Sequence, residues 1–165
     1  MVFSMVSNGI VVFAEKTNHH THTDNCYAKG GGLICEEESE EPIYIEKPES
    51  EAVTVTSYDD LKAAIENDTE YIIISGTIDF PENGILEIKS NIYILGKDDA
   101  KLNCSEGDCF FINSCMATFE NLTATANGGS VFCIEDNASV NIVSGTYSAN
   151  DDVVRGRGVL KSLWW

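Results

Sequence analysis

The side chains best suited to chemistry in this sequence lie close together near its start. His20-x-His22-x3-Cys26-x8-Cys35 brings two imidazoles and two thiols within sixteen residues, the ligand types that zinc prefers. On an extended segment His20 and His22 point the same way. The triple glycine between Cys26 and Cys35 lets the chain double back to close a tetrahedron. Four protein ligands leave no open position for a catalytic water, so the expected metal is a structural zinc. Two other readings stand beside it: a Cys26–Cys35 disulfide with incidental histidines, and a disordered polar linker.

Other catalytic sets are harder to assemble. All three histidines precede residue 23, so no Ser-His-Asp set can form farther along. The glycine run lacks the Lys-Ser/Thr and helix of a phosphate loop. A lyase acting on a uronate needs clustered carboxylates for calcium and a Lys or Arg to take the proton. The candidates are Asp98, Asp99, Asp108, Asp151 and Asp152, with Lys62, Lys89, Lys97 and Lys101. Their spacing places the carboxylates at chain corners, unaligned with one another. A glycosidase needs a facing carboxylate pair. Only Asp98/Asp99 and Asp151/Asp152 qualify, and adjacent residues on a corner rarely converge. No catalytic or cofactor-binding residue is therefore assigned.

The elements that would position these residues come from the wider chain. Its 165 residues suit one modest domain with flanking segments. Ten basic against 27 acidic residues give a formal charge of -17, which argues against nucleic acid, where binding rests on Lys and Arg. Residues 1–14 contain an apolar run of thirteen residues ending at Val12-Phe13-Ala14, too short to span a bilayer and with no Lys or Arg before it. It reads as a clipped or mis-started signal peptide, or else as a plain hydrophobic strand. Export would put the cysteines in an oxidising environment. No other membrane association is expected.

The His/Cys segment occupies 15–36. Residues 37–52 are acidic and hold Pro42 and Pro48, which predicts an extended linker. The folded unit is expected over 53–152. Ser57 with Asp60 makes a capping box, and Leu61, Ala64 and Ile65 share one face, predicting a short amphipathic helix over 58–66.

Beyond it the sequence repeats. Gly84, Gly107 and Gly129 are 23 and 22 residues apart, and Asn103, Asn127 and Asn150 are 24 and 23 apart. Between them three alternating apolar pairs recur: Leu86/Ile88, Phe110/Ile112, Phe132/Ile134; then Ile92/Ile94, Ala117/Phe119, Val140/Ile142; then Ala100/Leu102, Ala124/Ala126, Tyr147/Ala149. Three short strands in about 22 to 25 residues match one coil of a parallel β-helix. Gly and Asn suit its corners, stacked Asn side chains can bond from coil to coil, and the helix would cover the open first coil. Cys109 and Cys133 are expected to point outward. A Cys104–Cys109 bridge fits the spacing, as does a plain packing role for both.

The runs TVTSYDDLKAAIENDTEYIIISGTIDF and SVFCIEDNASVNIVSGTYSAN resemble pectate-lyase-like right-handed β-helix modules of Gram-positive surface proteins, over about residues 53 to 150. The resemblance implies an all-β fold, a right-handed single-stranded parallel β-helix of few coils with a short N-terminal capping α-helix. It says less about activity, because this fold hosts lyases, hydrolases and adhesins. HTHTDNCY…LIC, with Tyr27 and Leu33, is similar to short His/Cys segments of clostridial-type surface proteins. That similarity implies a small metal-bound or disulfide-bound structural knuckle.

Residues 153–165 carry Arg155, Arg157 and Lys161, no acid, and a closing Trp164-Trp165. They read as a truncated or frame-shifted end, or as a tail folding over the last coil with the tryptophans as a plug. The expected protein is a monomeric, extracellular, secreted or wall-associated surface protein without enzymatic activity. Its coils would act as a stalk or adhesion surface for carbohydrate or a host- or cell-surface protein. The alternative is a polysaccharide lyase or glycoside hydrolase whose catalytic coils lie beyond residue 152.

Overall fold

A computed structural model describes residues 47–162, so the segment holding His20, His22, Cys26 and Cys35 lies outside the described residues. The described chain begins with β1 (Val53–Val55) and α1 (Tyr58–Glu66). Ser57 caps the helix, its Oγ accepting from the Asp60 amide at 3.2 Å. The same hydroxyl donates to Asp60 Oδ2 at 2.7 Å, so the expected capping box closes through the Ser57 side chain. Asp59 and Asp60 place negative charge in the first turn, which the helix dipole favours. Leu61, Ala64 and Ile65 are buried, and the helix packs on β1 and the first coil. It covers the end of the stack, as predicted.

The remaining strands are β2 (Tyr71–Phe80), β3 (Leu86–Ile88), β4 (Ile92–Cys104), β5 (Phe110–Ile112), β6 (Met116–Glu120) and β7 (Leu122–Ala126). After them come β8 (Phe132–Ile134), β9 (Ser139–Ile142), β10 (Gly145–Ala149), β11 (Val154–Gly156) and β12 (Val159–Ser162). All pairings are parallel. They form a parallel β-helix of about five turns with three faces. The first face stacks β1, the start of β2, the start of β4, β6, β9 and β12. The second stacks the ends of β2 and β4 with β7 and β10. The third stacks β3, β5, β8 and β11. Among the described residues no helix is long and apolar enough to cross a membrane.

Two of the three expected inward pairs occupy their predicted registers. Leu86, Phe110 and Phe132 stack on the third face, as do Ile88, Ile112 and Ile134. Ile92, Ala117 and Val140 stack on the first, beside Ile94, Phe119 and Ile142. The aromatic members meet in the core, where Phe119 lies 5.1 Å from Phe110 and 4.8 Å from Phe132.

The third pair is shifted. On the second face Leu102 aligns with Ala124 and Cys104 with Ala126, so the inward pair is Leu102/Cys104 and not Ala100/Leu102. Asn103 accordingly aligns with Thr125 rather than Asn127. The cause is a corner. Asp98, Asp99 and Ala100 lie opposite the single residue Gly76 of the previous coil. Asp98 and Asp99 sit at φ 54° and 58°, so two extra residues turn within the corner before the strand resumes. Asn127 and Asn150 do stack, the Asn150 side chain donating to the Asn127 carbonyl.

The coil also continues past the boundary expected at Asp152. β11 pairs with β8 and β12 with β9, placing Val154 beneath Phe132 and Leu160 beneath Val140. Val154 is an apolar but smaller successor to Phe132, which hid the fourth rung of the third face.

Candidate functional site

Among the described residues no group of three or more His, Cys, Asp or Glu could hold a metal ion. The carboxylates singled out in the sequence do not converge. Asp98 and Asp99 are exposed at the left-handed corner, and Asp151 and Asp152 lie between β10 and β11. Lys62 pairs with Glu66 at 3.8 Å along the helix, and Lys89, just past β3, pairs with Glu87 at 2.8 Å. These are exposed pairs of small energetic weight.

Asp108 behaves differently. It stands at the corner before β5, where its Oδ1 accepts from the Ser130 amide at 2.8 Å. Its Oδ2 accepts from Arg155 Nη2, a residue two coils farther along. Arg155 in turn follows Phe111 and Cys133 in the outward register of the third face. The Cys133 side chain, then Asp108 and Asp151, favour its protonated form. Through Asp108, Ser130 and Arg155 this cluster ties three coils together. Sequence reasoning passed over Arg155, though its 22-residue offset from Cys133 repeats the offset of Cys133 from Phe111.

The four described cysteines divide into two kinds. Cys104 and Cys109 form a disulfide across the corner joining the second and third faces. Cys109 is fully buried, not outward as expected, because it belongs to that corner rather than to the pleat of β5. Cys133 keeps the predicted outward register and is buried beside Arg155. Cys115 is buried and donates to the Ile88 carbonyl at 3.3 Å; burial pushes its thiol up, partly offset by a backbone hydrogen bond at Asn113.

The outer surface of the second face is the most regular polar surface. Thr77, Lys101, Thr123 and Thr146 stack in one outward column. Asp79, Asn103, Thr125 and Ser148 stack in the next. Asn103 Nδ2 donates to Asp79 Oδ1 at 2.8 Å, and the Thr125 and Ser148 hydroxyls lie 3.1 Å apart. Each of these side chains is exposed or half-exposed. Successive rungs are ~4.8 Å apart, so the face offers hydroxyl and amide groups at a constant spacing. Such an array can hydrogen-bond an extended polar chain laid across the coils.

Comparisons with protein-family models, with curated proteins and with solved structures find no match.

Proposed function

We propose that the chain is a secreted or cell-wall-associated surface protein without enzymatic activity, and that its β-helix is a stalk or adhesion module. In this reading it is a pectate-lyase-like module of the Gram-positive surface type, acting as a monomer. The second face contacts carbohydrate, or the glycan or polar surface of a host- or cell-surface protein. The observation that carries the reading is the in-register ladder of Thr, Ser and Asn side chains on that face. The Cys104–Cys109 disulfide supports export, since such bonds persist in oxidising compartments.

The N-terminal His/Cys segment adds a structural knuckle. His20, His22, Cys26 and Cys35 supply a donor set that suits zinc. Metal analysis of the purified full chain, beside His20→Ala and Cys26→Ser variants, tests this part. Stoichiometric zinc lost in both variants is expected; a metal-free chain holding a Cys26–Cys35 disulfide refutes it.

Binding is tested by co-sedimentation of the full chain with insoluble polysaccharide and with purified cell wall, while the polymer is assayed for cleavage. Retention without shortening of the polymer is expected. Thr123→Glu combined with Thr146→Glu weakens retention about tenfold, the equivalent of ~1.4 kcal/mol. New reducing or unsaturated ends would show a hydrolase or lyase instead.

A further inference from the structure

The second face is close to neutral on a strongly acidic chain. Its two outward columns hold one cation and one anion, Lys101 and Asp79. These stand one rung and two residues apart, a diagonal of ~8 Å, so their fields largely cancel beyond the surface. The other outward groups are hydroxyls and one amide. Asn103 Nδ2 is taken by Asp79, which leaves the Asn103 carbonyl oxygen open as an acceptor. The Thr125 and Ser148 hydroxyls bond each other, which leaves one of their two protons free. No described residue hydrogen-bonds the Thr77, Thr123 or Thr146 hydroxyl, and none pairs with Lys101.

Both borders of this face are acidic. Glu82, Glu106 and Asp151 are exposed along the corner toward the third face. Asp98 and Asp99 are exposed on the corner toward the first, with Lys97 beside them. With a formal charge of -17 over the whole chain, the field repels a polyanion before contact. On contact, a polyanion laid along the columns would meet a single ammonium on four rungs. Its other charges would lose water without gaining a partner. An uncharged sugar chain meets neither cost, and its hydroxyls donate and accept at once, as these columns require. Four rungs give it a track of ~14 Å.

We propose that the ligand of the second face is an uncharged polysaccharide, laid along the two columns across β2, β4, β7 and β10, and that the acidic borders exclude acidic polymers. This assignment rests on the carbohydrate reading of that face and narrows it to one chemical class. Lys101 donates to neutral sugar oxygens instead of pairing with a carboxylate, so binding is nearly independent of salt.

The test is retention of the full chain on beads carrying uncharged polymers (cellulose, starch, galactomannan), anionic polygalacturonate, or cationic chitosan. Retention on at least one uncharged polymer is expected, with none on polygalacturonate. That retention should change less than about twofold between roughly 0.01 and 0.15 M ionic strength, where the Debye length falls from about 30 to 8 Å. Retention on polygalacturonate or chitosan equal to or above that on every uncharged polymer overturns the assignment and leaves the carbohydrate reading standing. So does uncharged-polymer retention that falls about tenfold over the same salt range. Retention on no polymer ends the carbohydrate reading, and this assignment with it. A gain of binding checks that the face itself sets the class. Thr77→Lys with Thr146→Lys, both at exposed positions, joins Lys101 to put a cation on three of the four rungs. With its circular dichroism unchanged, this variant should lose about tenfold on the uncharged polymer and gain salt-sensitive retention on polygalacturonate. An unaltered polymer preference places binding elsewhere on the chain and contradicts the assignment.

Discussion

The Phe110 and Phe132 rings lie 6.0 Å apart with their planes 19° from parallel, although 22 residues separate them in the chain. Phe132 also touches Phe119 at 4.8 Å and Tyr147 at 5.3 Å, so it joins all three faces. Phe132→Ala is expected to cost about 3–5 kcal/mol in denaturant unfolding. Val159→Ala, at a position 52% exposed, should stay within about 0.5 kcal/mol.

The Cys104–Cys109 bridge closes a short loop, and chain-entropy arguments give such a loop roughly 2 kcal/mol. Cys104→Ala with Cys109→Ala should lower stability by about that amount without changing the circular dichroism spectrum. In the native wild type, alkylation followed by peptide mapping should find this pair protected as a disulfide. Buried Cys115 and Cys133 should react fully only after unfolding.

Alkaline pH should unfold the coils progressively. Burial raises the Cys115 thiol above its ordinary 9.0 and the Tyr147 phenol above its ordinary 10.0. At lower pH both states keep both protons, and these groups contribute no pH dependence. Above 9.0, and again above 10.0, the unfolded chain releases protons that the folded chain retains. Stability then falls, by at most ~1.4 kcal/mol per pH unit for each group. Cys115→Ala and Tyr147→Phe should each flatten one part of this decline in urea titrations at successive pH values.

Two glycines separate steric crowding from backbone strain. Gly145 has φ 131°, and a Cβ there would meet the Leu122 carbonyl oxygen at 2.2 Å. Gly76 has φ 79° with nothing within 4 Å. Gly76→Ala should cost about 1 kcal/mol from the left-handed conformation alone. Gly145→Ala should cost more, about 2–3 kcal/mol, because backbone must move.

The fold was legible where an apolar residue faces the core at every second position, as at Leu86/Ile88 and Phe110/Ile112. The shift at the second face was not. Ala100 is buried and apolar, so the alternation runs through the Asp98–Asp99 corner and imitates a strand pair beginning two residues early. Arg155 was hidden for a related reason, because the fourth rung replaces Phe with Val154. The burial of Thr118 and Asn141 on the first face gave no hydropathy signal, since both side chains are polar. The hydroxyl ladder of the second face emerges only when the corner is counted correctly and Asn103 joins Thr125.

The account rests on parallel coils stacked in these registers, and nuclear Overhauser contacts between backbone and methyl protons of neighbouring strands test it most directly. Ile112 should contact both Ile88 and Ile134, and Leu102 should contact Ile78 and Ala124, with parallel-sheet connectivities throughout. Contacts from Leu102 to Ala126 in place of Ala124, or antiparallel connectivities between β5 and β8, would contradict it.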